Sequence, residues 1–215
     1  MSVSPLPSRP RVGVLAVQGA FREHQAMLST AGADAVLVRT PAALSDIAGL
    51  VVPGGESTTL RIVAGDSGLL EAIRAARAGG MPMLGTCAGL IALADGIADG
   101  DTPLVGGLDV TVARNAYGSQ VASFEAMVDV LGFGDGPCEG VFIRAPRIIR
   151  TGPAVEVLAS FQGDPVVVRQ DGLLGVAFHP ELTDDSRFHR WLVERARRYA
   201  AGRTNQTMED SRVRA

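Results

Sequence analysis

Cysteine is scarce in this chain of 215 residues: there are two, Cys87 and Cys138. A lone pair of thiols so far apart makes no disulfide framework, and a reducing compartment, the cytoplasm, suits it best. Charge of one sign is lacking too. The 20 Lys and Arg stand against 23 Asp and Glu, for a net charge of −3, and without a long basic run a nucleic-acid partner has no footing. No apolar stretch reaches membrane-spanning length, so no membrane role is expected. Residues 1–10 are rich in Pro and Ser and have no apolar centre, which excludes a secretory signal and leaves a loose leader. The three histidines are scattered, with no His/Cys pairing at ligand spacing, so no metal site is expected.

Apolar residues are plentiful. At 47% hydrophobic, with 26 glycines, the chain can build a substantial core with tight turns. Val12 to Val17 reads as a strand buried on both faces, and Gln18-Gly19 turns it into a helix over Ala20 to Ala31 that Gly32 ends. Strands at Ala35–Val38 and Leu50–Val52 follow. The loop Pro53 to Thr59 then leads into helical stretches near Leu60–Val63 and Gly68–Ala78, the second with Leu69, Leu70, Ile73 and Ala76 inward. Alternating strands and helices joined by short connections give an α/β fold, a mostly parallel sheet with helices on both faces. After Gly96 the texture changes to short β-like runs at 108–112, 126–130, 141–143, 155–158 and 166–168, which add strands and hairpins. A final amphipathic helix runs from Ser186, a candidate N-cap, to Tyr199, with Phe188, Trp191, Leu192 and Ala196 as its apolar stripe. The expected organisation is one domain over residues 11–200 and a polar, frayed tail over 201–215.

Two motifs carry chemistry. Pro82-Met83-Leu84-Gly85-Thr86-Cys87-Ala88-Gly89 reads as strand, sharp turn and helix, with Cys87 at the corner. This is the cysteine form of the nucleophile elbow, and a helix N-terminus there favours a thiolate. An inert buried cysteine is the bland alternative. His179-Pro180-Glu181 is the second motif: residues two apart on an extended segment share a face, so the carboxylate can orient the imidazole. Together they predict a Cys-His-Glu triad.

In a parallel sheet, ligands bind beyond the carboxyl ends of the strands, and Gln18, Gly54-Gly55 and Cys87 all fall at that edge. The Pro53 to Thr58 loop has no Walker lysine, and Glu56 would repel a phosphate; backbone N–H groups at Gly54, Gly55 and Ala88 read better as oxyanion donors. Arg114 and Arg144 are candidate forks for a substrate carboxylate, although most arginines are merely solvated. His24 and His189 lie in helical segments and are read as surface or boundary residues, and Cys138 as non-catalytic.

These residues resemble a known family. The Gly85 to Gly89 elbow with His179-Pro180-Glu181 is similar to the class I (triad) glutamine amidotransferases. More narrowly, six segments resemble the glutaminase subunits of pyridoxal 5′-phosphate synthase: Val17-Gln18-Gly19-Ala20 with Glu23-His24; Pro53 to Thr59; the elbow; Arg114-Asn115 with Ser123-Phe124-Glu125; Phe142 to Pro146; and His179 to Thr183. The likeness covers about residues 11–200.

The resemblance implies a flavodoxin-like order for the sheet and makes Cys87 the nucleophile, with His179 and Glu181 completing the triad. It implies that Gly55, Glu56, Ser57, Arg114, Ile143 and Arg144 contact glutamine. It implies hydrolysis of L-glutamine to L-glutamate and ammonia, with the ammonia passed to a separate (βα)₈-barrel synthase subunit that makes pyridoxal 5′-phosphate. The vitamin would be that complex's product, and this chain would need no cofactor. A different cysteine hydrolase on the same fold is the alternative; a non-catalytic scaffold subunit would leave an intact triad unexplained.

Overall fold

The computed structural model describes residues 9–55, 60–62, 67–114, 123–134 and 136–213, with 205–213 described by backbone alone. Its centre is a set of parallel strands made from the apolar runs. β1 (Arg11–Leu15) pairs with β2 (Asp34–Val38) and β3 (Gly49–Val52), β3 with β4 (Met83–Thr86), and β4 with β12 (Leu173–Val176), all in parallel. Every residue of β3, β4 and β12 is buried, as strands covered on both faces require. Antiparallel β11 (Asp164–Gln170) and β10 (Glu156–Phe161) continue the sheet past β12, for the order β10-β11-β12-β4-β3-β1-β2. Its parallel part, β2-β1-β3-β4-β12, has the flavodoxin-like order.

The helices are α1 (Phe21–Thr30), α2 (Leu69–Ala78), α3 (Ala88–Leu93) and α4 (Arg187–Val213). Side chains alternate along a strand, and parallel partners share a face. Gly49 faces Leu192 and Ala196 of α4, whereas Gly85, paired with Val52, faces Leu93 of α3. Val52 lies three residues on from Gly49, so α3 and α4 cover opposite faces. α1 packs beside α4.

The later half adds a three-stranded sheet of β5 (Ala94–Ile97), β6 (Leu108–Ala113) and β9 (Arg147–Thr151), and a hairpin of β7 (Ser123–Val128) with β8 (Cys138–Ile143). Phenylalanine, although rare, is concentrated here. Six of the seven, Phe124, Phe133, Phe142, Phe161, Phe178 and Phe188, form one chain of ring contacts, which runs from the hairpin beneath the segment carrying His179 to the start of α4.

One expectation for α4 is corrected and another refined. The helix does not end at Tyr199; it runs unbroken through Ala201 to Val213, where no proline stops it. Ser186 holds the N-cap position, its carbonyl accepting the Arg190 N–H at 2.8 Å, while the side chain that serves the first turn is that of Asp185, whose Oδ1 accepts the Arg187 N–H at 2.9 Å. Among the described residues, no helix is long and apolar enough to cross a membrane.

Candidate active site

The parallel strands deliver four loops to one edge: 16–20 after β1, the Gly54-Gly55 turn after β3, Cys87 after β4 and His179 after β12. Cys87 sits at the corner with φ 48° and ψ −108°, a conformation costly for a residue with a side chain, by roughly 1–3 kcal/mol. Neighbouring structure holds it there. Its N–H donates to Val176 O at 2.8 Å. α3 can start at once because Gly89 has no side chain: a Cβ there would lie 1.8 Å from Val52 O. The thiol comes to rest 3.9 Å from the Ile143 carbonyl.

His179 is buried, anchored by its N–H to Val141 O at 2.9 Å, and its Nδ1 meets Glu181 Oε1 at 2.7 Å. Cys87 stands close enough to the ring to act on its titration. Burial alone would lower the His179 pKa. The neighbouring Cys87 and the bond to the Glu181 carboxylate more than reverse this and push it up to about 10. The imidazole is therefore cationic at neutral pH, a proton donor poised between a sulfur and a carboxylate. The sequence-predicted Cys87, His179 and Glu181 are brought together.

The other predicted residues fare unequally. Gly54 lies against both Cys87 and His179, yet its N–H donates to Thr86 Oγ1 at 3.1 Å, so it is not the free oxyanion donor expected. Gly55, exposed with φ 139°, abuts the Gln18 side chain. Ala88 opens α3, where an N–H has no intrahelical acceptor. Ile143 turns its carbonyl toward the thiol, and Arg144 follows with φ 45° and an exposed side chain. Arg114 is occupied by aspartates: its Nε donates to Asp99 at 2.9 Å and its Nη2 to Asp101 at 2.6 Å. Hydrogen bonds from Arg114 hold the Asp99 carboxyl below its ordinary range. Glu56 and Ser57 lie outside the described residues, as does Asn115.

The main error in the sequence reading concerns the other histidines. Neither is a surface residue; His24 and His189 are both fully buried. His24 Nε2 stands 3.1 Å from Thr86 Oγ1 and 3.3 Å from Glu181 Oε2, and its Nδ1 meets His189 Nε2 at 2.9 Å. Burial, then the charges of His189 and His179, keep the His24 pKa well below its usual value. Burial likewise lowers His189 to about 4, against a smaller opposing pull from Asp185. Both are neutral at pH 7. The signal lay in helical spacing: His24 precedes buried Leu28 by four residues, and His189 precedes buried Val193 by four, both core-facing positions.

Residues 14–198 match the model of the SNO glutamine amidotransferase family. The chain is 52% identical over 198 residues to the pyridoxal 5′-phosphate synthase subunit PdxT of Frankia casuarinae, covering 91% of this chain and 100% of that protein. It is 47% identical over 185 residues to the subunit of the same name from Carboxydothermus hydrogenoformans, covering 86% of this chain and 97% of that one. Among solved structures, a crystal structure of a glutamine amidotransferase shares 46% identity at a TM-score of 0.81, over 86% of this chain and 98% of that chain. The PurLQS structure from Thermotoga maritima, at 17% identity, a TM-score of 0.65 and coverage of 89% and 99%, shares the fold. The family match takes in the elbow, the His179 segment and the sheet between them, and the chain belongs to the SNO glutamine amidotransferase family.

Proposed function

We propose that this chain is the glutaminase subunit of a pyridoxal 5′-phosphate synthase, acting in the cytoplasm. It hydrolyses L-glutamine to L-glutamate and ammonia and hands the ammonia to a separate (βα)₈-barrel synthase subunit. One observation carries the reading above the others. An elbow cysteine faces a cationic, carboxylate-held histidine, in a chain about half identical to proteins named as subunits of that synthase.

In this mechanism the Cys87 thiolate attacks the side-chain amide carbon of glutamine. Negative charge moves to the amide oxygen, and the N–H groups of Gly55 and Ala88 are assigned as its donors. His179, already protonated, gives its proton to the departing ammonia and leaves a thioester on Cys87. The neutral imidazole then takes a proton from water as that water attacks the thioester, releasing glutamate and restoring the Cys87 thiolate beside a protonated His179. Glu181 holds the ring through Nδ1 and balances its charge in both steps. Gly55, Glu56, Ser57, Ile143 and Arg144 are assigned to glutamine. Arg114 joins them only if it lets go of Asp99 and Asp101.

The test is glutamate release from glutamine by the purified chain, with and without its synthase subunit. Activity should rise when the synthase is present, since ammonia released into water is wasted, and Cys87→Ala should abolish it. Glu181→Gln should lower kcat by roughly 10³-fold or more. Equal turnover with and without the partner would favour a self-standing cysteine hydrolase. No turnover in the assembled complex would end the glutaminase reading.

A further inference from the structure

The mechanism above uses one histidine and leaves two others buried beside it. His24 comes from α1 and His189 from α4, while the carboxylate they approach follows β12. Burying neutral imidazoles in an apolar core is unfavourable unless their nitrogens are satisfied, so their arrangement calls for a reason.

The tautomers follow from the neighbours. Glu181 Oε2 makes no hydrogen bond among the described residues, but His24 Nε2 stands 3.3 Å from it, and an N–H is favoured over a lone pair beside a carboxylate oxygen, which assigns the His24 proton to Nε2. His24 Nδ1 is then an acceptor, and the 2.9 Å contact makes His189 Nε2–H its donor. The His24 Nε2–H also lies 3.1 Å from Thr86 Oγ1, and that same oxygen accepts the Gly54 N–H at 3.1 Å. One imidazole therefore stands between the outer oxygen of the triad carboxylate and the hydroxyl that holds the oxyanion turn.

We propose that His24 is a positioning residue of the triad: its Nε2–H hydrogen-bonds Thr86, which holds Gly54, and its positive end beside the otherwise unpartnered Glu181 Oε2 keeps that carboxylate turned to His179, while His189 holds the ring from Nδ1. The proposal rests on the triad reading given above. Glu181 can aim His179 at Cys87 only if its own carboxylate is prevented from turning. Oε1 is occupied by His179, whereas Oε2 makes no hydrogen bond among the described residues, and His24 Nε2, 3.3 Å away, is the polar group beside it. Through Thr86 the same ring sets where Gly54 sits, and Gly54 lies against both Cys87 and His179.

Two amide substitutions separate this role from simple core filling. In His24→Gln the side-chain nitrogen reaches the place of Nε2, toward Glu181 and Thr86. In His24→Asn the amide reaches only the place of Nδ1, toward His189. Both are polar and smaller than histidine, so a purely structural role would make them equally harmful or favour the one that keeps the His189 contact.

Glutamate release is measured in the assembled complex, with Cys87→Ala as reference. The Gln variant should stay within about threefold of the parent kcat, and the Asn variant should lose about 30-fold or more, with KM for glutamine within about threefold in both. The rate of Cys87 alkylation by iodoacetamide at pH 7 should follow the same order. Equal kcat in the two variants, a better Asn variant, or a loss confined to KM would overturn the proposal. If Cys87→Ala keeps its activity, the triad reading itself fails; if it is dead while both His24 variants match the parent, only the role of His24 fails.

Discussion

A methyl group added at Gly54 would come within 2.5 Å of His179 Cε1 and 3.2 Å of Cys87 Cβ. The backbone there is not in the left-handed region, so alanine brings no conformational penalty of its own and the imidazole is what must yield. His179 cannot shift without loosening either Glu181 or Cys87. Gly54→Ala should therefore lower kcat by about 100-fold while costing only about 1 kcal/mol of folding stability, read by turnover and urea unfolding on the same preparation. Full activity would show that the ring moves freely. At this scale the sequence is uneven. Cys87, His179 and Glu181 were legible because each sits in a short motif with its own chemistry. Thr86, His24 and His189 were not, because their meaning lies in contacts across 62 and 165 residues of chain. The Gly54 N–H was misassigned for the same reason: its acceptor, Thr86, is 32 residues away.

Among the elements, the junction of α1, α4 and β4 differs from the rest of the core by holding neutral histidines, and this gives the fold a pH dependence. In the unfolded chain His24 and His189 take up protons below about pH 6.5, whereas the folded chain keeps His189 neutral to about 4 and His24 neutral well below 6.5. The unfolded state thus binds more protons, and stability falls as pH drops from 6.5 toward 4. His189 alone accounts for on the order of 3 kcal/mol of this loss. His179 acts in the opposite sense. Its folded pKa of about 10 contributes stability that is complete below 6.5 and is lost as pH rises toward 10. Asp99, Asp185 and Glu156, whose pKa values are lowered, lose their contributions only under more acidic conditions. Urea unfolding between pH 7.5 and 4.5 should show the fall, and His189→Gln should flatten it while lowering stability at pH 7.5. An unchanged slope in that variant would mean the loss arises elsewhere. Some elements were readable and others not, for physical reasons. β1, β3 and β4 are apolar enough to be strands in any context. β5 begins inside the helical pattern after the elbow, and β9 has an arginine at its first and fourth positions. Only their pairing with β6 makes them strands.

For the molecule as a whole, alternation of strand and helix was enough to foresee a parallel sheet with its site at the carboxyl edge. The partition of the later strands between the main sheet and two smaller ones had no local signature, since β10 and β11 read no differently from β6 or β8. The extent of α4 poses the remaining question at this scale. Its buried apolar residues among those with described side chains, Phe188, Leu192, Val193 and Ala196, all precede residue 200, and residues 201–204 are exposed. The family match ends at residue 198. Residues 201–204 bury no apolar face, and a helical stretch of that kind adds little to stability, because propensity alone is weak beside tertiary packing. Arg203, over the Tyr199 ring, is the last described side-chain contact of this kind, and a chain ending at Thr204 keeps it. Such a chain should unfold within about 2 °C of the full chain and release glutamate at the same rate in the assembled complex. A fall of more than about 5 °C, near 1 kcal/mol or above for a chain of this size, would show that the last turns of α4 pack against the domain. An unchanged melting temperature with lost activity would instead place those turns at the synthase subunit.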